Sequence, residues 1–261
     1  MNASRRYWLV ANLHEAHSIC GGRALLDSTP MAKSRNPRLL REKAARLNEK
    51  LTSLYGRQEI ESGEDPLDTL VETILSQNTT DKNSGRAFAA LKQAYPKWGS
   101  MLGEPVDKIA LIIRSGGLAG IKAQRILDAL RFIKDERGAL DLGFLREMRP
   151  SEAEAWLGQM KGVGPKTRSI VLLFSLGMPA FPVDTHIHRV TRRLGLIGPK
   201  TTREQAQEEL ALLVPPKEFF NFHINIIEHG RAICRARNPM CARCAISLMC
   251  DYYRHLRKAQ S

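Results

Sequence analysis

The sequence has no apolar run long enough to cross a membrane. Its longest apolar stretch, Ile170 to Val183, is interrupted by Gly177, Pro179 and Pro182. The alternation of polar and apolar residues that predicts β-strands is also missing, as are hairpin turns between such runs. These absences argue against a membrane protein and against a β-sheet fold, so we expect a globular, mostly helical protein.

Acidic residues are scarce relative to basic ones. The chain of 261 residues has 27 Asp and Glu against 40 Lys and Arg, a formal net charge of +13. An excess of this size indicates a polyanionic partner, most often nucleic acid. No cleavage site follows the short apolar run at residues 7–13, so we predict no export signal and expect a reducing cytosol. In that compartment cysteines are more often ligands or catalysts than disulfide partners.

The chain is predicted to consist of a disordered tail followed by roughly ten helices. Residues 1–36 show no sustained periodicity, which is typical of disorder. From Arg38 to Tyr55 apolar residues recur at helical spacing, with basic residues on the other face; they are Leu40, Ala44, Leu47, Leu51 and Leu54. Further helix starts are predicted at Asp65, at Asp81, at Ser151 with Glu154 as a capping box, and at Thr202 with Gln205 likewise.

A glycine-rich turn between two helices is the first functional signal. A helix is predicted to end near Met160, Gly162 and Gly164 bracket Val163, and Pro165 opens the next helix. Glycines permit a tight turn and a close approach of backbone N–H groups to a ligand, and the free N–H groups of a helix start bind phosphate. The simpler alternative is an ordinary corner with a glycine C-cap.

Lys166 and Asp184 are the candidate catalytic residues. Lys166 falls in the first turn of the second helix, where the helix dipole disfavours an ammonium, and a neutral amine is a nucleophile that can form a Schiff base with a sugar carbon. A lysine that contacts phosphate is the alternative. Asp184, in the sequence V-D-T-H, is predicted to cap the following helix, which would hold its carboxylate firmly.

Four cysteines lie close together near the C-terminus, and Cys20 stands apart. Their spacing, C-x6-C-x2-C-x5-C, can supply four thiolates to Zn²⁺ or to a [4Fe-4S] cluster, but it lacks the two separated C-x2-C pairs of a zinc ribbon. Arg235 and Arg237 lie between the first two cysteines, and a positive loop there could lie on a phosphate backbone. The cysteines are Cys234, Cys241, Cys244 and Cys250.

Together these motifs resemble the endonuclease III family, from about Arg38 to Tyr252. The resemblance implies that Lys166 is a nucleophile assisted by Asp184, and that the four cysteines hold a [4Fe-4S] cluster that positions DNA. Members of this family turn a damaged nucleotide out of the duplex and fill the gap. Asn78 aligns with the family's polar plug, usually glutamine, with Gln77 displaced by one position. Leu118 matches the apolar wedge, and Lys161 stands where proline is common.

Asn78 and Leu118 also have simpler interpretations. Asn78 could merely end a helix, and Leu118 could be a buried loop residue.

By resemblance, the fold is all-α, with two helical domains and a DNA cleft between them. A six-helix barrel with the helix-hairpin-helix spans residues 59–178, and residues 37–58 join residues 179–261 in the cluster domain. The implied function is a bifunctional DNA glycosylase and abasic-site lyase that removes oxidised pyrimidines from double-stranded DNA. We expect a monomer in the cytoplasm, associated with the nucleoid. The alternatives are a monofunctional glycosylase for mismatched or alkylated bases and a non-catalytic DNA-binding module.

Overall fold

The computed structural model describes residues 36–60 and 64–259, so the predicted disordered tail, Cys20 included, lies almost wholly outside the described residues. In this part of the chain there are eleven α-helices and no β-strand, which confirms the all-α prediction. Within the same residues, no helix combines the length and the apolar character needed to cross a bilayer. The helices are α1 Pro37–Tyr55, α2 Pro66–Ser76, α3 Asp81–Ala94, α4 Val106–Ile112, α5 Ala119–Arg137, α6 Pro150–Leu157, α7 Pro165–Ile170, α8 Thr185–Leu194, α9 Arg203–Leu213, α10 Phe219–Ala232 and α11 Asp251–Lys258.

Most of the predicted helix starts are confirmed by their caps. The Asp65 carboxylate accepts a hydrogen bond from the Leu67 N–H at 2.8 Å, and the Thr202–Gln205 capping box is formed. The predicted box at Ser151 and Glu154 is wrong. Helix α6 begins at Pro150, and Glu152 accepts from the Arg149 N–H at 3.1 Å instead. Because proline fits the first turn of a helix, α6 starts at Pro150, one residue before the predicted start at Ser151.

The apolar face of α1 is narrower than its periodicity predicts. Ala44, Leu47 and Leu51 are buried, but Leu54 is 45% exposed. Leu54 lies in the last turn, one residue before the helix ends at Tyr55, and so it falls outside the buried stripe.

The described residues form two hydrophobic cores. The first is built from side chains between Leu67 and Ala180, and the second joins α1 to side chains between Ile170 and Cys250. Helix α7 and its π-helical continuation, Val171–Ser175, contribute to both cores and therefore run between them. The first turn of α7 is thus held at the junction of the two cores. The domain boundaries at residues 58/59 and 178/179 stay predictions.

Candidate active site and nucleic-acid interface

The hairpin between α6 and α7 is a tight turn whose apolar side chains are buried in the fold. Helix α6 ends at Leu157, earlier than the predicted Met160, and the turn continues with a hydrogen bond from the Val163 N–H to the Met160 carbonyl at 3.1 Å. The side chains of Met160 and Val163 are buried, and Gly162 has φ +86°, a conformation that favours glycine. Gly164 precedes Pro165, which starts α7 as predicted.

This arrangement determines which backbone N–H groups of the hairpin are free to bind an anion. The side chain and N–H of Val163 are both engaged within the fold, so Val163 shapes the turn instead of presenting a donor. The N–H groups of the first turn of α7, at Lys166 and Thr167, have no acceptor inside the helix because of helix geometry. These first-turn groups are therefore the anion-binding part of the hairpin.

Asp184 is the N-cap of α8, as predicted. Its Oδ1 accepts a hydrogen bond from the Ile187 N–H at 2.7 Å, and the residue is 7% exposed. Burial alone would raise the pKa of Asp184, but the positive charge of Lys166, with smaller contributions from His186 and His223, holds its pKa below the usual value. The carboxylate is therefore ionised at neutral pH.

Lys166 is the second residue of α7, and its side chain is exposed. Its charge acts on the pKa values of three buried groups, namely Asp184, Asp81 and His223. Such an effect requires the charges to lie within electrostatic reach of one another. Lys166 and Asp184, the two residues that the sequence proposes as catalytic, therefore belong to one site.

A second carboxylate and an arginine belong to this cluster and were not predicted as site residues. Asp81 is buried at the start of α3, with its Oδ2 3.7 Å from Nη2 of Arg231 in α10. Neither atom has a hydrogen-bond partner among the described residues. Burial raises the pKa of Asp81 to about 7, with smaller increases from Asp184 and Glu72, and these outweigh the lowering by Arg231 and Lys166. Polar residues in the otherwise apolar helix α10 were the signal available in the sequence.

His223 is a buried neutral base beside Asp184. Burial lowers its pKa to about 4 even though the Asp184 carboxylate acts in the opposite direction. Its Nδ1 lies 3.1 Å from the Pro182 carbonyl oxygen, which accepts a hydrogen bond from that nitrogen when it carries the proton. At neutral pH His223 is therefore a neutral imidazole near the ionised Asp184.

The two candidate DNA-penetrating residues, Asn78 and Leu118, both lie in exposed loops with left-handed backbone conformations, at φ 52° and φ 50°. Leu118 is 52% exposed, so the alternative of a buried loop residue is wrong. Asn78 lies just beyond the end of α2 and projects into solvent. Gln77, by contrast, is engaged: its Nε2 donates to the Gly162 carbonyl at 3.3 Å, and its Oε1 accepts from Arg125 at 2.7 Å.

The four cysteines line one pocket with an empty volume of about 350 Å³, which includes space open to solvent. None of them is in a disulfide. No group of three or more ligating side chains in the described residues is gathered tightly enough for a single metal ion.

The four thiols are partly or fully buried. Burial raises the pKa of Cys244 to about 11, and burial and neighbouring thiols also raise the pKa of Cys241. Binding of a metal centre would release these protons and order the loop. The loop is fastened from one side by Arg193 of α8, which donates to the Arg235 carbonyl at 2.6 Å and lies 3.4 Å from Sγ of Cys234.

Arg235 and Arg237 are both exposed on this loop, as the predicted DNA contact requires. The backbone beneath them is held at two carbonyls, those of Arg235 and Ala236, by the guanidinium of Arg193. Their charges are therefore presented from a fixed backbone.

Comparisons with known proteins relate the chain to base excision DNA repair proteins. The profile described as HhH-GPD superfamily base excision DNA repair protein matches residues 71–216. The chain is 31% identical to endonuclease III of Thermotoga maritima over 75% of this chain and 87% of that one. It is 42% identical to an Arabidopsis thaliana protein named as a candidate DNA glycosylase, At3g47830, over 66% of this chain and 58% of that protein's length. The fold matches a non-covalent endonuclease III–DNA complex with a TM-score of 0.72 and 24% identity, covering 84% of this chain and 98% of that chain.

Proposed function

The chain belongs to the endonuclease III family of the HhH-GPD superfamily of base excision DNA repair proteins, and from this premise we propose that Lys166 is its nucleophile and Asp184 the carboxylate that assists it. As a member it is a DNA glycosylase/lyase enzyme. The observation that supports the assignment is the buried Asp184 carboxylate, which is fixed by capping α8. Lys166, in the first turn of α7, lowers the pKa of this carboxylate.

In the proposed reaction, the neutral Nζ of Lys166 attacks C1′ of a nucleotide that has been turned out of the duplex. The C1′–N glycosidic bond breaks, and the base leaves with the bonding electron pair. The ring C1′–O4′ bond then opens, O4′ gains a proton and a Schiff base remains. Loss of a proton from C2′ expels the 3′ phosphate by β-elimination. Asp184 accepts a proton from the lysine or stabilises positive charge on the sugar, and both tasks need the ionised form that its environment favours.

We propose that the substrate is double-stranded DNA with an oxidised pyrimidine or an abasic site. The exposed loop residues Asn78 and Leu118 support a duplex substrate, because a base must leave the stack before its sugar can be attacked. The hairpin turn at Gly162 and Gly164 would hold the phosphate backbone, and the loop bearing Arg235 and Arg237 would contact it further along. We expect this enzyme to act as a monomer associated with the nucleoid.

The four cysteines would hold the [4Fe-4S] cluster. A cluster there would fasten the loop that carries Arg235 and Arg237, and its contribution would be structural. The pocket lined by all four thiols and the clamp from Arg193 support this assignment.

The test is reductive trapping. The protein is incubated with a duplex that contains one thymine glycol, or one abasic site, in the presence of borohydride, which reduces an imine to a stable cross-link. We expect the native protein to cross-link and Lys166→Gln to bind damaged DNA without cross-linking. Lys161→Gln is the matched control, because Lys161 is an exposed lysine of the same hairpin; it should cross-link normally.

Three outcomes would contradict parts of this proposal. A cross-link that persists in Lys166→Gln would place the nucleophile elsewhere. Base excision by the native protein without any cross-link would favour the monofunctional alternative, in which Asp184 activates water. Binding without excision or strand cleavage on either substrate would favour the non-catalytic module.

A further inference from the structure

A buried lysine joins the two loops that carry Asn78 and Leu118. Lys122, in the first turn of α5, is 1% exposed, and its Nζ donates to the carbonyl oxygens of Leu75 and Gly116, both at 2.7 Å. Leu75 lies in the last turn of α2, which leads to Asn78, and Gly116 ends the 3-10 turn that leads to Leu118. One ammonium therefore binds carbonyl groups at the C-terminal ends of both elements, where a positive charge is most favourable.

The two loops that leave these ends are closely packed at their base. Both Asn78 and Leu118 adopt left-handed backbone conformations, which asparagine tolerates but which leucine keeps only where the surrounding structure enforces them. A Cβ atom added to Gly116 would lie 3.2 Å from the Cβ of Ala87 and 3.9 Å from the Leu75 carbonyl oxygen. The lysine thus bridges two segments that already meet with little space to spare.

Arg125, three residues after Lys122 and so on the same side of α5, connects this base to the hairpin. Its Nη1 donates to Oε1 of Gln77 at 2.7 Å, and Nε2 of Gln77 donates to the Gly162 carbonyl at 3.3 Å. A Cβ atom on Gly162 would lie 2.9 Å from Cδ of Arg125, so the arginine runs directly beneath the turn.

We propose that Lys122 and Arg125 are positioning residues that hold the Asn78 loop, the Leu118 loop and the hairpin as one DNA-binding unit. The proposal rests on the proposed function, which assigns DNA contacts to these three segments. A wedge can unstack a base only if its own backbone does not yield. Charge-assisted hydrogen bonds shielded from water provide that resistance. Burying an ammonium is costly, and burial lowers the pKa of Lys122 to about 8. An apolar residue of similar size would fill the same space at a lower cost in desolvation, but it could not donate the two hydrogen bonds.

The test separates base extrusion from chemistry. Lys122→Met keeps the length of the side chain and removes its donors, whereas Lys122→Arg keeps charge and donors. A 2-aminopurine placed beside the lesion reports unstacking by its fluorescence, and borohydride trapping on a single-stranded abasic oligonucleotide needs no extrusion. We expect Lys122→Met to extrude the base at least tenfold more slowly, with single-strand trapping within twofold of native, and Lys122→Arg to recover most of the loss.

The matched control is Ser175→Ala, which removes a buried hydrogen bond to Thr69 in the first turn of α2. It should reduce thermal stability while leaving extrusion unchanged. A second measurement is a double-mutant cycle with Asn78→Gly and Leu118→Gly. Their effects on extrusion should be non-additive in the native background and additive in Lys122→Met. Arg125→Met, at a half-buried position, should give the same pattern at smaller amplitude and replaces Lys122→Met if that variant does not fold.

Failure of this inference is distinguishable from failure of the proposed function. If the native protein traps no DNA, the proposed function is wrong. If it traps DNA and Lys122→Met extrudes the base at the native rate, the positioning role is wrong. If Lys122→Met loses extrusion and single-strand trapping in equal proportion, that pattern reports a smaller folded fraction, and Arg125→Met decides. The positioning role is wrong if Arg125→Met also extrudes the base at the native rate or loses both activities in equal proportion.

Discussion

Asp184 combines a structural contact with a charge that chemistry can use. One carboxylate oxygen is committed to the Ile187 N–H at 2.7 Å, and this fixes the orientation of the group before any substrate arrives. Lys166 lowers its pKa despite burial, so the carboxylate is charged where a protonated amine or a cationic sugar would form. An electrostatic group that is already oriented needs no rearrangement during the reaction.

Replacing Asp184 with asparagine should separate its two contributions. The amide oxygen of Asp184→Asn can still accept the cap hydrogen bond, so we expect a stability loss of no more than about 1 kcal/mol. Base excision should fall by about 100-fold to 10,000-fold, because the assisting charge is gone. Cleavage of a preformed abasic site needs no base departure and should fall much less. Single-turnover rates on the two substrates measure this, and equal losses on both would point to a misplaced α8.

Asp81 makes the stability of the protein depend on pH in a predictable direction. Its pKa is raised to about 7 in the folded protein, mainly by burial, from an unfolded value near 4. Because the folded protein binds the Asp81 proton more tightly than the unfolded chain does, protonation of Asp81 stabilises the fold at low pH. This stabilisation is lost as pH rises through the pKa of the folded protein. The stability of the native protein relative to Asp81→Asn should therefore fall between about pH 4 and pH 8.

Urea unfolding of both proteins at pH 4.5, 6 and 8 checks this prediction. Arg231 keeps its ion pair with Glu228 at 3.3 Å in this variant, and its attraction to ionised Asp81 is already included in the pKa of about 7. A difference in stability that is flat across this range would show that Asp81 titrates normally.

At the scale of elements, the sequence predicted the features that depend on residues close together in the chain. The glycine pair and Pro165 define the hairpin, and Asp184 in front of an amphipathic stretch defines α8. The sequence did not predict that Lys122 meets Leu75 and Gly116, or that Asp81 faces Arg231. Periodicity indicates which face of a helix is buried, but it does not indicate which polar atoms meet across the fold. The sequence likewise did not predict which of the neighbours Gln77 and Asn78 is held by the rest of the fold. Tertiary contacts engage Gln77 and leave Asn78 exposed.

The hairpin turn should be sensitive to a single methyl group. In Gly162→Ala the new Cβ would meet Cδ of Arg125 at 2.9 Å, on a backbone with φ +86°. We expect the turn to shift and duplex affinity to weaken about tenfold, equally for damaged and undamaged DNA, because phosphate contacts carry no sequence information. Fluorescence anisotropy measures the affinity. Gly120→Ala is the control, because a Cβ there meets nothing within 4 Å; a similar loss in that variant would contradict the interpretation.

At the scale of the whole molecule, the net charge of +13 predicts binding that depends steeply on salt. Arg235 and Arg237 present two of these charges from a backbone that Arg193 holds in place. Their combined reversal to glutamate should weaken binding to all duplexes about equally. If each arginine neutralises one phosphate, the slope of log affinity against log salt should flatten by about two units. Reversal of Arg131 and Lys134, exposed residues of α5, is the matched control, and an equal flattening there would make the effect one of net charge alone.

The proposed [4Fe-4S] cluster predicts the metal content of the purified protein. We expect purified protein to be yellow-brown and to contain about four irons per chain, because four thiolates fit one cubane. Cys241→Ser removes one ligand, so it should lose iron, lower the melting temperature and expose the loop of Arg235 and Arg237 to proteolysis, since cluster binding and loop order are coupled. Cys20→Ser is the control and should keep its full iron content. Anaerobically prepared protein with one zinc and no iron would overturn the assignment. Cys241→Ser that loses iron but keeps native salt dependence would show that the cluster does not position the arginines.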